Sequence, residues 1–250
     1  MKHWKAVGLE AFLSAYPNIR LVDVHADKVE LQGEYQLKAQ LAGSRFIERT
    51  FSLRIVCPSD YPRALPVVFD TAGYFPRNQD FHTYSDGSFC LGSDLKIKSI
   101  LKADSSLTTF FEKIVVRFLY SVSHRVEFGN FPYGELEHGE KGLIDDYSQL
   151  FNVNGKASVL RALKALGLRK REANKLPCPC GCGDRLGSCD YRFVLNEFRQ
   201  VERRRWFRHH LQEAFTPIEK PKRRVGKKLK VQVEIRLSLI SSLGHLWHMC

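Results

Sequence analysis

The sequence predicts an α+β fold, in which an N-terminal helix precedes a four-stranded antiparallel meander, a cysteine-containing loop and further packed helices. Three observations support this prediction. Apolar residues at helical spacing near the N-terminus give way to three segments rich in β-branched and aromatic residues. A short strand bounded by prolines follows, and a long apolar stripe with helical spacing lies after it. A small cysteine-rich element completes the predicted architecture on the C-terminal side.

The N-terminal half supplies the first helix and the sheet. In residues 4–15 the apolar side chains recur at helical spacing and stop before Pro17, which predicts a helix. Turn residues such as Ala-Asp-Lys and Ala-Gly-Ser separate the strands that follow. The four predicted strands are Arg20–His25, Val29–Leu41, Arg45–Cys57 and Pro66–Asp70. Prolines 62 and 66 hold the entry to the fourth strand extended, because each fixes its own φ and disfavours helix in the residue before it.

A single cysteine follows the fourth strand in a loop of turn-forming residues. The loop runs Phe81-His82-Thr83-Tyr84-Ser85-Asp86-Gly87-Ser88-Phe89-Cys90-Leu91-Gly92. Because Ser-Asp-Gly favours a tight turn just before Cys90, we expect the loop to present this thiol. The alternative is that Cys90 is a small buried hydrophobic residue between Phe89 and Leu91. Cys57 ends an apolar strand, and we expect it to be buried.

Helical patterns dominate after the cysteine loop. A stripe with i, i+3, i+4, i+7 spacing predicts one long helix that packs across the sheet. The stripe consists of Leu107, Phe110, Phe111, Ile114, Val115, Phe118, Leu119 and Val122. Residues 142–152 and 156–169 predict two further helices, and Tyr191–Phe215 predicts a basic helix. Residues 131–142 carry glycines at 134, 139 and 142 and predict an irregular loop, of the kind that often carries function on a rigid scaffold.

The segment from Tyr61 to Leu91 resembles the core of the ubiquitin-conjugating (UBC-like) enzymes. The family pattern consists of Tyr-Pro, a second proline, a strand, a histidine-containing loop and Gly-x-x-Cys-Leu, and the last motif is matched by Gly87-Ser88-Phe89-Cys90-Leu91. Two features depart from the pattern: Thr83-Tyr84 stands where the family has Pro-Asn after its histidine, and the loop from His82 to Cys90 is slightly shorter. The element order predicted from periodicity agrees with the UBC-like fold.

The resemblance implies roles for individual residues. It implies that Cys90 is the cysteine that carries a thioester and that His82 supports its loop through a backbone hydrogen bond, although a base role for His82 stays open. Asp86 is a candidate for orienting an incoming lysine amine or accepting its proton, and an Asp-Gly turn explains it equally well. His138, in the loop that follows the long helix, is a candidate for completing the site, and a solvated connector is the alternative there.

Four further cysteines lie within twelve residues. The segment is Pro177-Cys178-Pro179-Cys180-Gly181-Cys182-Gly183-Asp184-Arg185-Leu186-Gly187-Ser188-Cys189-Asp190. Thiolates at this density, separated by glycines that allow the chain to wrap an ion, predict a closed tetrahedral site for structural zinc. A redox pair or chance clustering is the alternative. We name Cys178, Cys180, Cys182 and Cys189 the cysteine cluster.

The cysteine cluster also resembles the short SEC-C zinc motif. Cys178, Cys180 and Cys189 fit the ligand spacing of that motif, whereas Cys182 replaces a serine and Asp190 stands at the last ligand position. The fourth ligand is therefore Cys182 or Asp190, and the sequence favours the thiolate because structural zinc is commonly held by sulfur.

Composition and charge limit the classes of protein to which this chain can belong. An apolar share of 44% over 250 residues is typical of a globular protein, and a formal charge of +12 is concentrated between Arg199 and Lys230. We expect a UBC-like domain over residues 1–155, a helical extension with the cysteine cluster over 156–215 and a basic tail over 216–250. The charged N-terminus lacks the apolar core of a secretory signal and no window has the length of a membrane span, so we expect a cytoplasmic protein with no membrane contact.

Together these features predict a conjugating enzyme for a ubiquitin-like protein. The resemblance implies three protein partners: the ubiquitin-like modifier, an activating enzyme and a target protein. A short histidine-to-cysteine loop combined with C-terminal zinc elements resembles relatives from bacterial ubiquitin-like antiviral defence operons. The first alternative is a non-catalytic UBC-like module that docks protein or, less favoured, nucleic acid through the cysteine cluster and basic tail. The second is a cysteine hydrolase that uses Cys90 with His82 or His138.

Overall fold

The sheet is the best-predicted part of the molecule. A computed structural model describes residues 7–132 and 139–215, and it contains a four-stranded antiparallel sheet in the order β1-β2-β3-β4. The strands are β1 Ile19–Val24, β2 Lys28–Ala39, β3 Ile47–Pro58 and β4 Val67–Asp70. The predicted mixed α+β class and the predicted meander are therefore confirmed.

Strands β2 and β3 form a long hairpin. Their register runs without a break from Lys28 opposite Pro58 to Ala39 opposite Ile47. Alternate residues of β3 are buried at 47, 51, 53, 55 and 57, with only position 49 departing from a strict period of two. This alternation places one face of the sheet against the helices and the other toward solvent.

The described helices before residue 133 contribute to the core on this buried face. They are α1 Leu9–Ala15, α2 Asp94–Ile100, α3 Leu107–Phe110 and α4 Val116–Phe128. Among the described residues helix α1 begins at Leu9, and residues 4–6 of the predicted helix over 4–15 lie outside the described residues. The long predicted helix is present from Leu107 onward, but a π-helical turn at Phe111–Val115 separates α3 from α4. It ends at Gly129, whose φ of 82° favours glycine.

Helices also make up the C-terminal part. They are α5 Gly139–Phe151, α6 Gly155–Gly167, α7 Lys170–Ala173, α8 Tyr191–Val201 and α9 Arg204–Phe215. The prediction that the irregular loop extends to residue 142 was wrong, because α5 already begins at Gly139. The single basic helix predicted over Tyr191–Phe215 was also wrong, since the chain leaves helical geometry between α8 and α9. None of the helices among the described residues is long and apolar enough to cross a membrane.

Buried apolar residues fall into two clusters. The first core lies between the sheet and helices α1 to α4, and includes Phe12, Leu31, Phe51 and Phe110. The second core joins α5, α6, α8 and α9 around Phe151, and contains Cys178 of the cysteine cluster. Helix α5 contributes to the second core, although it precedes the domain boundary expected at residue 155. That boundary stays a prediction.

Helix α2 connects the two cores. Its residue Leu95 is fully buried in the second core, whereas Ile97 is buried in the first. Lys98 Nζ lies 2.7 Å from Glu202 Oε1, and only 7% of the lysine side chain and 14% of the glutamate side chain is exposed. The indole of Trp206 lies 5.3 Å from the same ammonium group. Helix α2 therefore fastens the segment after Cys90 to the helical C-terminal part.

Candidate active site and candidate metal centre

Cys90 directly follows Ser88 and Phe89, which form isolated antiparallel bridges to Phe69 of β4 and to Thr83. The amide of Phe89 donates to the carbonyl of Val68 (2.9 Å), and the amide of Cys90 donates to the carbonyl of His82 (2.8 Å). Residues 82–84 thus pair with residues 88–90 around a turn, which is closed by a 2.9 Å bond from the Gly87 amide to the Tyr84 carbonyl. We call residues 82–90 the cysteine hairpin. The predicted Ser-Asp-Gly turn before the cysteine is confirmed.

Phe89 anchors this hairpin in the first core. Its ring is 5% exposed and stacks on Phe118 of α4 at a centroid distance of 4.4 Å. Successive side chains of a strand point to opposite faces. Phe89 is buried in the core, whereas the thiol of Cys90, the next residue, is only partly buried. The geometry does not fit the alternative in which Cys90 is a fully buried hydrophobic residue.

Cys57 differs from Cys90 in the burial of its thiol. It is fully buried, and burial raises the pKa of its thiol to about 12. A thiol with such a pKa is almost entirely protonated at neutral pH and is a poor nucleophile. The prediction that Cys57 is a buried structural residue is confirmed, and Cys90 is the accessible thiol of the sheet region.

His82 braces the cysteine hairpin through its backbone. Its carbonyl accepts the Cys90 amide, and its own amide donates to the Gln79 carbonyl at 2.9 Å. The residue adopts a left-handed conformation, with φ of 48°. The imidazole packs edge-on against Phe131, with ring centroids 5.5 Å apart. These contacts favour a supporting role for His82, and the assignment of His82 to catalysis stays a prediction.

Asp86 is engaged in the turn of the hairpin. Its Oδ1 accepts hydrogen bonds from the Ser88 amide (2.9 Å) and the Ser88 hydroxyl (2.7 Å). Desolvation alone would raise the pKa of this carboxyl, but the bonds from Ser88 outweigh it and hold the pKa below its usual value. Asp86 is therefore ionised at neutral pH. Its proposed contact with an incoming amine stays a prediction, and His138 lies outside the described residues.

Ser93 and Asp146 are two residues near the site that sequence patterns did not single out. Asp146 is 5% exposed, and its carboxylate accepts hydrogen bonds from the Ser93 hydroxyl and the Lys96 ammonium group. This contact ties the chain three residues after Cys90 to α5. Ser93 directly precedes α2, so an N-cap pattern was the only available signal, and that pattern does not indicate a partner fifty residues away.

The cysteine cluster has the geometry of a metal-binding group. All four sulfur atoms lie within 4.8 Å of one another. Cys180 Sγ lies 3.1 Å from Cys178 Sγ and 3.7 Å from Cys189 Sγ. Four thiolates around a tetrahedral zinc ion at its usual Zn–S distance have sulfur atoms about 3.8 Å apart. The four thiols could therefore hold one metal ion.

The local backbone explains how these four residues meet. The Cys178 amide donates to the Asp184 carbonyl at 2.8 Å, which closes a tight loop around Cys180 and Cys182. Gly181 and Gly183 have φ values of 85° and 88°, conformations that side chains other than glycine rarely adopt. Asp190, the alternative fourth ligand, is 92% exposed and lies 3.8 Å from Arg192. Cys182, not Asp190, belongs to the metal-binding group among the described residues.

Comparison with known proteins adds no relative. The chain matched no family model, no curated protein and no solved structure.

Proposed function

We propose that this protein is a conjugating enzyme that carries a ubiquitin-like modifier as a thioester on Cys90 and transfers it to an amine. The observation that carries the proposal is the placement of Cys90. Its backbone is held by the hydrogen bond to His82 and by the preceding Phe89, which is fixed in the core, while its thiol stays partly accessible. The resemblance of Tyr61–Leu91 to the UBC-like core supports the same assignment.

For the thioester transfer, the protein mainly has to hold the Cys90 thiol in the correct position. The Cys90 thiolate attacks the thioester carbonyl of the modifier held on an activating enzyme, forms a new C–S bond and releases the thiolate of that enzyme. Because the leaving thiol and the attacking thiol are equally good leaving groups, no strong base is needed in this step. A target amine then attacks the Cys90 thioester, forms an amide and releases the thiolate, while Asp86 accepts the proton of the amine. His82 keeps the hairpin in place, and His138 is proposed to assist the transfer.

The cysteine cluster is proposed to bind one structural zinc ion through Cys178, Cys180, Cys182 and Cys189. Sulfur spacing close to that of a tetrahedral thiolate site supports this choice. Four protein ligands fill the coordination sphere, so the ion would stabilise the loop between α7 and α8 and take no part in the reaction.

The proposed setting is the cytoplasm of a bacterium, in an antiviral system with a modifier, an activating enzyme and a target protein. A reducing compartment suits both functions assigned to cysteine, since a thioester carrier and a thiolate metal site require reduced thiols. A non-catalytic docking module of the same fold is the second candidate. The exposed Phe193 on α8 favours it, because 56% of this aromatic residue is exposed and Arg192 lies over its ring.

The decisive experiment is thioester formation on Cys90. The purified protein is incubated with ATP, an activating enzyme and a ubiquitin-like modifier from the same genome, and the products are separated on a non-reducing gel. We expect an adduct that disappears with reductant and is absent from Cys90→Ala. In Cys90→Ser the expected product is a reductant-resistant ester or no adduct.

The matched control is Cys57→Ala, which removes a buried thiol from the same sheet and should leave the adduct intact. An adduct that persists unchanged in Cys90→Ala would rule out the proposal. Absence of any adduct with the wild-type protein, together with retained binding of a partner that Phe193→Ser abolishes, would favour the docking module.

A further inference from the structure

A cavity of about 570 Å³ lies between the β2–β3 turn and the C-terminal end of α4. The turn contributes Leu41, Ser44 and Arg45, and the helix end and the chain after it contribute His124, Phe128 and Phe131. This volume falls within the range of about 300–1,000 Å³ that is typical of small-molecule sites. Polar atoms make up most of the lining of this space, and the rings of Phe128 and Phe131 supply apolar surface.

A serine and a histidine meet in this cavity with defined hydrogen-bond polarity. His124 Nε2 lies 2.9 Å from Ser44 Oγ, and His124 Nδ1 lies 2.9 Å from the carbonyl oxygen of Asn130. A carbonyl oxygen only accepts, so the neutral ring carries its proton on Nδ1 and donates it to Asn130. Nε2 is then an acceptor, and the Ser44 hydroxyl donates to it. His124 is only 6% exposed, so the ring is held in this orientation.

The turn that carries Ser44 is held in one conformation. The Ser44 amide donates to the Leu41 carbonyl at 2.9 Å. The phenol of Tyr120 accepts from the Leu41 amide (3.2 Å) and donates to the Arg45 carbonyl (2.8 Å), which fixes both ends of the turn. Gly43, directly before the serine, has a φ of 77°. The hydroxyl is therefore pre-organised against the imidazole, as a catalytic nucleophile must be.

We propose that Ser44 and His124 form a nucleophile–base pair for acyl transfer, a second activity that is separate from Cys90. His124 Nε2 takes the hydroxyl proton while Ser44 Oγ forms a bond to the acyl carbon of an ester or thioester. The protonated imidazole returns that proton to the leaving oxygen or sulfur as the acyl bond breaks. Water then attacks the acyl-serine by the same route, so that the net reaction is hydrolysis. The Asn130 carbonyl keeps His124 in the reactive tautomer.

The walls of the cavity define the substrate class. Phe128 and Phe131 supply aromatic surface, and the Arg45 guanidinium lies 5.0 Å from the centre of the Phe128 ring. Within this proposal, Arg45 supplies a positive charge on the wall of the cavity for the oxyanion that develops on the acyl oxygen. The site therefore suits an ester or thioester of a short or aromatic carboxylic acid.

The test is labelling of the full-length protein with a fluorophosphonate probe, which reacts with activated serine hydroxyls. We expect wild-type protein to be labelled and tandem mass spectrometry to place the label on Ser44. Ser44→Ala should lose the label. His124→Gln should slow labelling by about 100-fold or more, because general-base assistance is typically worth at least that factor.

Ser14→Ala is the matched control, since Ser14 is an exposed serine whose hydroxyl donates to the Glu10 carbonyl of its own helix; it should be labelled like wild type. The proposal is overturned if the wild-type protein is not labelled, if Ser44→Ala keeps the label, or if a folded His124→Gln reacts at the wild-type rate. Circular dichroism establishes whether His124→Gln folds. If it does not, the comparison of wild type with Ser44→Ala decides.

Discussion

The Lys98–Glu202 ion pair should contribute strongly to the stability of the folded chain because it joins α2 to the α8–α9 junction in a nearly dry environment. Breaking a buried pair typically costs about 3–5 kcal/mol, since one charge is left without its partner. Asp94 lies 3.8 Å from the same ammonium group and part of Glu202 is exposed, so we discount this range to about 2 kcal/mol. Lys98→Met and Glu202→Gln should each cost that amount.

A double-mutant cycle tests the physical argument. Lys98→Met combined with Glu202→Gln leaves neither charge uncompensated and should cost about 1.5 kcal/mol, so the coupling energy is about 2.5 kcal/mol. Urea unfolding followed by circular dichroism measures all four free energies of unfolding. Each single change should also lower Tm by about 4–8 °C.

An exposed ion pair in the same region serves as the matched control. Lys102, two residues after the end of α2, lies 2.5 Å from Glu197 of α8, but the side chains are 35% and 65% exposed. Such a pair is worth about 0.5 kcal/mol, and Lys102→Met with Glu197→Gln should give a coupling of that size. Equal coupling energies for the two pairs, or additive effects at Lys98 and Glu202, would refute the argument that burial makes the first pair important.

Two further predictions concern the metal centre and the turn of the cysteine hairpin. Elemental analysis of the purified protein should find about one zinc ion per chain. Cys182→Ser should reduce this zinc content, and Asp190→Ala should preserve it. A loss of zinc in Asp190→Ala but not in Cys182→Ser would make Asp190 the ligand. Asp86 has a lowered pKa in the folded state, so the stability that it contributes is present above the ordinary carboxyl pKa of about 4 and is lost as pH falls through the folded-state value. Relative to the intrinsic exchange rate at each pH, the Ser88 amide should lose protection against hydrogen exchange in that acid range in wild type, and Asp86→Asn should remove this loss.

Sequence patterns predicted the sheet well because its chemistry is local. The alternation of buried residues along β3 is present in the sequence as a period of two, and the turn chemistry of Ser-Asp-Gly defines where the chain reverses before Cys90. The cysteine cluster was predictable for the same reason, since its ligands lie within twelve residues and their glycines have the backbone conformations that the loop requires.

Helix α2 could not be predicted, because its apolar residues serve two different cores. Leu95 belongs to the second core and Ile97 to the first, so they do not form one stripe. The π-helical turn has a related cause. Phe110 and Phe111 are adjacent in sequence, yet both are almost fully buried, and the wider turn accommodates them on the face toward the sheet.

The break between α8 and α9 reflects a tertiary contact that overrides local propensity. No proline or glycine lies between residues 191 and 215, and helical propensity alone predicts a continuous helix there. Glu202 has an extended backbone, with φ of −137° and ψ of 157°, and its carboxylate bonds to Lys98 and to the Arg203 amide. The distant lysine therefore helps to define the end of α8, and a sequence pattern contains no information about that contact.

The position of Cys90 depends on both cores, in different ways. Upstream of the thiol, the hairpin is held by the sheet and by the Phe89–Phe118 stack, which belong entirely to the first core. Downstream, Ser93 is tied to Asp146 on α5, and Leu95 is buried beside the helices that surround the cysteine cluster. The strand before the thiol fixes the backbone of Cys90, whereas the helical part determines how the chain leaves it. A disturbance of the metal centre should therefore act on the exit segment at 93–101 before it reaches the thiol itself.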